Sequence, residues 1–298
     1  MTTSAAPMAS AGGPDDDAGC RSGGVVSMRR SYAVPHVRSY HAPMAVTIDL
    51  NADLGESFGR WTLGDDEGLV RYLTSANLAC GMHAGDPTVM ERSVALCAAA
   101  GVAIGAQPGY PDLAGFGRRV LPMPPSEVES VVRYQIGALH AFTRAAGVEL
   151  RHVKPHGALY NAAAADPALA AAIARAVAGF SRDLVMFGLA SSAAMAGAAA
   201  DAGLRFVPEA FADRRYLADG SLQPRTEAGS VISEPEAAAN QAASVVRGSV
   251  VAVDGTSVAL EAASICCHGD TPGAVAIAAA VRARLTAEGI EVRAPASA

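Results

Sequence analysis

The sequence is poor in lysine, in aromatic residues and in long apolar runs. Lysine occurs once among the 23 Lys and Arg residues, at Lys154, and aromatic residues make up 5% of the 298 positions. No uninterrupted run approaches the roughly 20 apolar residues that a membrane-spanning helix requires. The basic residues are scattered and the net charge is −6. These absences argue against nucleic-acid binding through a basic face or stacked bases, and against a membrane span.

Cysteine motifs are missing as well. The five cysteines are an odd number, two are adjacent, and none forms a CxxC pair; they are Cys20, Cys80, Cys97, Cys266 and Cys267. This pattern argues against a disulfide framework or a zinc ribbon and favours a reducing, cytoplasmic location. We interpret the cysteines as small buried apolar residues, with a nucleophilic Cys266 or Cys267 as the alternative.

Sequence signatures of phosphate and zinc binding are also absent. There is no GxxxxGK[ST], no GxGxxG after the first predicted strand and no HExxH. His152 and His156 are four residues apart, but Pro155 between them excludes a helical ligand pair. Histidine and aspartate at strand ends would still suit a hydrolytic divalent ion, so a metal stays open.

The chain divides by composition near residue 43. The first 43 residues are rich in Ser, Gly, Pro and Asp, which predicts a disordered N-terminal extension; a start at Met44 is the alternative. Residues 44–293 are predicted to form one domain, and 294–298 a tail. Within that domain, short apolar strands alternate with longer helical stretches, two of which begin with Asp-Pro.

This alternation predicts an α/β protein in which helices cover a parallel sheet. The candidate strands are Val46–Leu50, Ser75–Leu78, Val102–Gly105, His152–Lys154, Leu184–Gly188, Arg205–Val207 and Ala262–Cys266. The candidate helices are Asp65–Tyr72, Pro87–Ala100, Pro125–Ala146, Pro167–Gly179, Ser192–Ala202, Glu234–Arg247 and Pro272–Glu288. Seven units in about 250 residues favour a seven-stranded (β/α) TIM-like barrel over an open doubly wound sheet.

Polar motifs directly follow the predicted strands, and strand ends of a barrel converge on the face that carries active sites. The candidate catalytic residues are Asp53, Glu56, His83, Lys154, His156, Asp213 and His268. The candidate substrate-binding residues are Asn51, Asn77, Tyr110, Arg119, Glu209 and Arg214. Paired carboxylates and histidines suit general acid–base catalysis. Two polar residues have a structural interpretation as an alternative to a role in catalysis or binding. Asp86 is interpreted as a helix N-cap, and Asn51 is equally well explained as the cap of a turn.

Seven strings of the sequence resemble the LamB/YcsF family in their expected order between Ile48 and Pro272. They are IDLNADLGESFG, SANLACGMHAGDP, PGYPDLAGFGRR, YQIGALHAF, RHVKPHGALYN, EAFADRRYLADGSLQPR and CCHGDTP. The resemblance implies a barrel related to carbohydrate deacetylases. It also implies ATP-dependent opening of 5-oxo-L-proline to L-glutamate, shared with two partner subunits of the B and C type that handle ATP. One departure is Gln107, where the family usually has histidine.

For this reaction we assign roles by position after the strands. Asp53 or Glu56 would activate water, Lys154 and Arg214 would hold the substrate carboxylate or a phosphorylated intermediate, and His156 with His83 or His268 would protonate the ring nitrogen. Two other functions stay open. One is a stand-alone metal-dependent deacetylase or amidohydrolase. The other is a non-catalytic protein that binds a small molecule, which the replacement by Gln107 would favour.

Overall fold

A closed barrel of seven parallel strands forms the centre of the protein in the computed structural model, which describes residues 46–296. Its strands pair in the order β1, β2, β3, β4, β5, β6, β9, and β9 returns to β1 to close the barrel. The ten strands of the described region are β1 Thr47–Leu54, β2 Ser75–Ala79, β3 Ala103–Gln107, β4 Leu150–Val153, β5 Val185–Leu189, β6 Phe206–Phe211, β7 Ser249–Val251, β8 Ser257–Ala259, β9 Ser264–Cys267 and β10 Glu291–Val292.

Eight α-helices of the described region connect and cover these strands. They are α1 Asp66–Val70, α2 Pro87–Ala100, α3 Pro125–Ala145, α4 Gly157–Ala165, α5 Pro167–Phe180, α6 Ala193–Asp201, α7 Pro235–Val246 and α8 Ala274–Ala287, with a 3₁₀ turn at Leu113–Gly115. The closed sheet and its connecting helices confirm the predicted seven-stranded (β/α) barrel. The relation to deacetylase barrels stays a prediction, and the predicted extension 1–43 lies outside the described residues.

The helix boundaries follow local capping chemistry. The Asp86 carboxylate accepts hydrogen bonds from the backbone N–H groups of Thr88 and Val89, which confirms its predicted role as the N-cap of α2. Gly101 ends that helix with a φ of 68°, a left-handed conformation that glycine adopts without a steric penalty. Asp166 caps α5 in the same manner as Asp86 caps α2.

Three secondary-structure predictions need correction. Strand β1 continues to Leu54 and β6 to Phe211, beyond the predicted ends at Leu50 and Val207. Helix α8 begins at Ala274 rather than at Pro272, because Gly273 occupies its N-cap. The prediction also missed α4, the strand β10 that extends the sheet beside β1, and an antiparallel hairpin of β7 and β8 outside the barrel.

The interior of the barrel is polar, and this positions the site. Along β1, Asp49, Asn51 and Asp53 alternate with Leu50 and Ala52, which join the apolar core between the sheet and its helices. The polar members of the alternation hydrogen-bond across the barrel, as described below. The four cysteines in the described region are buried free thiols, in agreement with their interpretation as small core residues.

No single helix among residues 46–296 is long and apolar enough to cross a membrane. The bent pair α4 and α5 reaches that length and composition when taken together, with 117° between its two helices.

Candidate active site

A cavity of about 830 Å³ opens at the carboxyl ends of the barrel strands. Strand β1 contributes Asp53, the segment after β4 contributes Lys154 and His156, and the segment after β9 contributes His268. Parallel strands carry their chain ends to the same face, so residues far apart in sequence meet here. The expected convergence is therefore realised for four of the predicted catalytic residues.

Lys154 lies at the floor of this cavity with 3% of its side chain exposed. Its Nζ is 2.9 Å from Oε1 of Glu209, 3.3 Å from Oδ1 of Asp53 and 3.0 Å from Sγ of Cys266. Burial alone would lower the pKa of Lys154, but Asp53 and the other anionic neighbours outweigh it and hold the pKa well above its ordinary value. The buried amine is therefore a permanent cation.

Asp53 is the corresponding anion. Burial would raise its pKa, yet the Lys154 ammonium and nearby histidines hold the pKa of Asp53 well below its ordinary range. Oδ1 of Asp53 also accepts a hydrogen bond of 2.9 Å from the Asn77 amide. A carboxylate with a lowered pKa is a weak base, so Asp53 is better suited to orienting a ligand and stabilising positive charge than to accepting a proton.

A hydrogen-bonded layer supports Lys154 from below. Asn51 donates to Oε1 of Glu209 at 2.8 Å, Asn77 donates to Oδ1 of Asn51 at 2.7 Å, and the hydroxyl of Tyr160 donates to Oε2 of Glu209 at 3.0 Å. Asn51, Asn77 and Glu209 are among the predicted substrate-binding residues, but the structure places them outside the set that lines the cavity. Asn51 and Glu209 contact Lys154 directly, and Asn77 contacts Asn51 and Asp53, so these residues position Lys154 while their contact with substrate stays a prediction. Tyr160 was not predicted, because it lies on the unpredicted helix α4.

A second pair joins the ends of β6 and β9, where Asp213 and His268 follow these strands and His268 lines the cavity. Nδ1 of His268 lies 2.9 and 3.0 Å from the two oxygens of Asp213, and the backbone N–H of His268 also donates to Asp213 at 2.9 Å. Burial would raise the pKa of Asp213, but His268 outweighs this and lowers it. The Asp213 carboxylate accepts a hydrogen bond from Nδ1–H of His268, which directs the second ring nitrogen away from Asp213. The structure therefore brings these two predicted catalytic residues into hydrogen-bond contact, an arrangement in which a carboxylate can orient a histidine base.

Glu56, His83 and His156 form a separate buried cluster together with Gln107. The imidazole rings of His83 and His156 are stacked, with centroids 3.9 Å apart and planes 6° from parallel. Nδ1 of His156 lies 3.6 Å from Oε1 of Glu56. Burial raises the pKa of Glu56 well above its ordinary value and lowers the pKa of His156 to about 4. The role of Glu56 in activating water stays a prediction.

Arginine residues surround the mouth of the cavity. The Arg118 guanidinium donates to Oδ2 of Asp270 at 2.6 Å and lies 4.9 Å above the Phe116 ring. Arg225 lies 4.0 Å from the other oxygen of Asp270. Both arginines line the cavity. One carboxylate between two guanidinium groups leaves a positive potential that suits an anionic ligand.

Of the remaining predicted substrate-binding residues, one lines the cavity and two do not. Arg214 lines the cavity but donates to the backbone carbonyl of Gln223 at 2.6 Å, which ties down the loop that covers the site. Arg119 is 64% exposed, pairs with Asp112 and lies outside the cavity lining, whereas the neighbouring Arg118 lines the cavity. The contact of Arg119 with substrate stays a prediction. Tyr110 is buried in the core and also lies outside the lining.

Comparison with known proteins identifies one matching family and several similar proteins. The model of the LamB/YcsF family matches residues 48–298. The A subunit of 5-oxoprolinase from Chloroflexus aggregans is 58% identical over 251 residues, which cover 84% of this chain and 99% of the relative. Its namesake from Streptomyces coelicolor is 55% identical over 246 residues, which cover 82% and 98%. The crystal structure of a lactam utilization protein from Thermus thermophilus superposes with a TM-score of 0.79 at 48% identity, covering 84% of this chain and all of that one.

Proposed function

The chain belongs to the LamB/YcsF family, and on that premise we propose that it hydrolyses a cyclic amide, opening 5-oxo-L-proline to L-glutamate. The names of its relatives, which refer to 5-oxoprolinase and to lactam utilization, support this class of substrate. The observation that carries the proposal is the Asp213–His268 pair, because it presents a histidine base to a cavity that also contains the Lys154 cation.

His268 activates the attacking water. Asp213 fixes its tautomer, so that the second ring nitrogen can accept a proton. A ring nitrogen of His268 and a carboxylate oxygen of Asp53 lie within 4.8 Å of one another, a separation that one water molecule can bridge. Asp53 therefore orients the water and His268 deprotonates it.

The same histidine completes the reaction. As the water oxygen bonds to the amide carbon, its proton moves to His268 and negative charge develops on the former carbonyl oxygen. The buried Lys154 ammonium supplies a fixed positive potential for that charge. The carbon–nitrogen bond then breaks, His268 returns the proton to the nitrogen, and the products are a carboxylate and a free amine.

Coupling to ATP belongs to the same proposal. Two partner proteins, the B-type and C-type subunits, would handle ATP. This accords with the absence of a phosphate loop from this sequence and with the relatives' names, which describe one component of a larger enzyme. The γ-phosphoryl group of ATP would pass to the amide oxygen with release of ADP, which would make the ring carbon a stronger electrophile. Addition of water and cleavage of the carbon–nitrogen bond would then leave an acyl phosphate, which a second water would hydrolyse to the carboxylate and free phosphate. The arginines at the cavity mouth suit the added charge, and we place the reaction in the cytoplasm.

Reconstitution tests this function. The purified protein, the two partner subunits encoded by its own organism, ATP and 5-oxoproline are expected to release glutamate, and omission of any one component is expected to abolish the release. The Chloroflexus aggregans relative with its own partners serves as the positive control. If that relative turns over and this chain does not, the proposal is wrong.

A second candidate function is a stand-alone metal-dependent amidohydrolase. The Glu56–His83–His156 cluster favours it, since one carboxylate and two imidazoles are a common ligand set of catalytic zinc. Turnover of cyclic or acetylated amides without ATP and partners, lost on chelation and restored by metal, would select this candidate. Turnover that needs ATP and both partners would reject it.

A further inference from the structure

The buried histidine cluster, which we define as Glu56, His83, Gln107 and His156, contains polar atoms without hydrogen-bond partners. Within the described region, both ring nitrogens of His83, both amide atoms of Gln107 and Nδ1 of His156 are buried and unpaired. The Gln107 amide lies beside Glu56 and His83, but neither of its polar atoms reaches good hydrogen-bond geometry. Native proteins pair nearly all such atoms, so a concentration of five in one cluster points to a missing ligand.

The environment of His156 selects the form of imidazole that binds metals. Nε2 of His156 lies 2.9 Å from the backbone carbonyl oxygen of Phe116, which places the ring proton there. Nδ1 then carries a lone pair and faces Oε1 of Glu56 at 3.6 Å. Backbone carbonyls commonly fix metal-binding histidines in this way.

We propose that Glu56, His83 and His156 bind one divalent transition-metal ion of the Zn²⁺ class, with the Gln107 amide oxygen as a weaker fourth ligand. The three ligand atoms all lie within 4.8 Å of one another. Ligands at the usual distance of about 2.1 Å lie no more than about 4.2 Å apart, and the 3.6 Å between Nδ1 of His156 and Oε1 of Glu56 is within that limit. Because the two imidazole planes are parallel, one ring must tilt toward the other for both to bind the same ion.

A neighbouring triad is a poorer site. Asp53, Cys266 and His268 also bring three ligand atoms within 4.8 Å of one another. The Lys154 ammonium, however, lies 3.3 Å from Asp53 and 3.0 Å from Cys266 and so already occupies the position of a cation. A second cation there would meet strong repulsion. The inference thus concerns the histidine cluster alone, and it does not depend on the proposed reaction.

Metal binding can be measured without an activity assay. The full chain, purified without a histidine tag, would be stripped with chelator and dialysed against Zn²⁺ or Co²⁺. We expect one equivalent of metal by mass spectrometry, a visible Co²⁺ absorption band and a rise in Tm. His83→Asn and Glu56→Gln are expected to weaken binding at least tenfold, and Gln107→His to tighten it at least tenfold, since imidazole is a better zinc ligand than an amide.

The control variant is His268→Asn, which removes a ligand of the neighbouring triad and should leave the stoichiometry and the Co²⁺ band unchanged. Circular dichroism of each metal-free variant establishes that it is folded, and Gln107→His gives a gain that misfolding cannot imitate. Substoichiometric metal with no shift in Tm would overturn the proposal. So would retention of full affinity in both His83→Asn and Glu56→Gln, or a loss confined to His268→Asn.

Discussion

The Nζ of Lys154 lies 2.9 Å from Oε1 of Glu209, and this pair is the centre of the polar interior of the barrel. Both side chains are almost completely buried, and Asn51 and Tyr160 donate to the same carboxylate. A buried ion pair of this kind contributes little net stability when intact, because both charges have lost their hydration. Its value lies in holding a cation and the nearby Asp53 carboxylate at fixed positions in the lining of the cavity.

Removing the cation is expected to be costly. Lys154→Met leaves Glu209 and Asp53 buried without a counter-charge, which should lower the free energy of unfolding by about 3–5 kcal/mol. Urea denaturation at pH 7 measures this change. The double variant Lys154→Met/Glu209→Gln contains one unpaired buried charge fewer than Lys154→Met. It should therefore regain part of the stability that the single variant loses. A double variant less stable than the single one would contradict the assigned charge states.

The Asp213–His268 pair predicts a loss of turnover without a loss of fold. Asp213→Asn removes the charge that fixes the tautomer of His268, and kcat should fall by about 10²–10⁴-fold with little change in KM. The matched control is Asp254→Asn, which alters an exposed turn carboxylate in the β7–β8 hairpin and should leave kcat unchanged. Equal rates for Asp213→Asn and the parent protein would remove His268 from its proposed role.

The adjacent residues Arg118 and Arg119 test whether an anionic substrate binds at the cavity mouth. Arg118 lines the cavity, whereas Arg119 is exposed and pairs with Asp112. Arg118→Met should raise KM for an anionic substrate about tenfold, the scale of one charge-assisted hydrogen bond. Arg119→Met should leave KM unchanged. Steady-state kinetics of the reconstituted system distinguish the two, and the reverse order would show that the substrate enters elsewhere.

The strand and helix pattern was predictable because apolar periodicity and Asp-Pro starts are local signals. The ends of β1 and β6 were not, since the sequence pattern places Asn51, Asp53 and Glu209 after a strand. They belong to strands whose inner face is polar, and sequence patterns normally assign the polar face to solvent. Helix α4 was not predictable because it begins directly at the glycine of the Lys154–Gly157 motif.

The site itself was predictable as a set of residue types but not as contacts. Which of Arg118 and Arg119 faces the cavity depends on the turn around Phe116, whose φ of 55° is unusual for a residue with a side chain. Nothing local in the sequence indicates that turn. Similarly, the pairing of Asp213 with His268 joins residues 55 positions apart, and it follows from the pairing of β6 with β9.

A glycine in the barrel wall should tolerate no side chain. A Cβ added at Gly105 would lie 2.0 Å from Nε2 of His152, whose ring is held by a hydrogen bond to Asn77 and by stacking on Phe187. Gly105→Ala should therefore lower the free energy of unfolding by about 1–3 kcal/mol. Gly137→Ala, inside helix α3 with no atom within 4 Å of the added Cβ, should instead raise it by about 0.5–1 kcal/mol. Chemical denaturation of both variants makes the comparison, and equal effects would refute the close contact.

The buried His156 predicts a pH dependence of stability with a definite sign. Burial lowers its pKa from 6.5 to about 4 in the folded protein, so between these values the unfolded chain binds more protons. Stability from this group is fully present above pH 6.5 and is lost as the pH falls to 4. The loss is on the order of 3 kcal/mol, at about 1.4 kcal/mol for each pH unit.

Asp49 acts in the opposite direction over part of this window, because burial raises its pKa to about 6 and the folded protein retains its proton. The difference between the parent protein and His156→Gln cancels that contribution. Measured by urea denaturation in the presence of chelator, the parent should lose more stability than His156→Gln between pH 6.5 and 4. Parallel curves for the two proteins would show that His156 is solvated and that the histidine stack opens in solution.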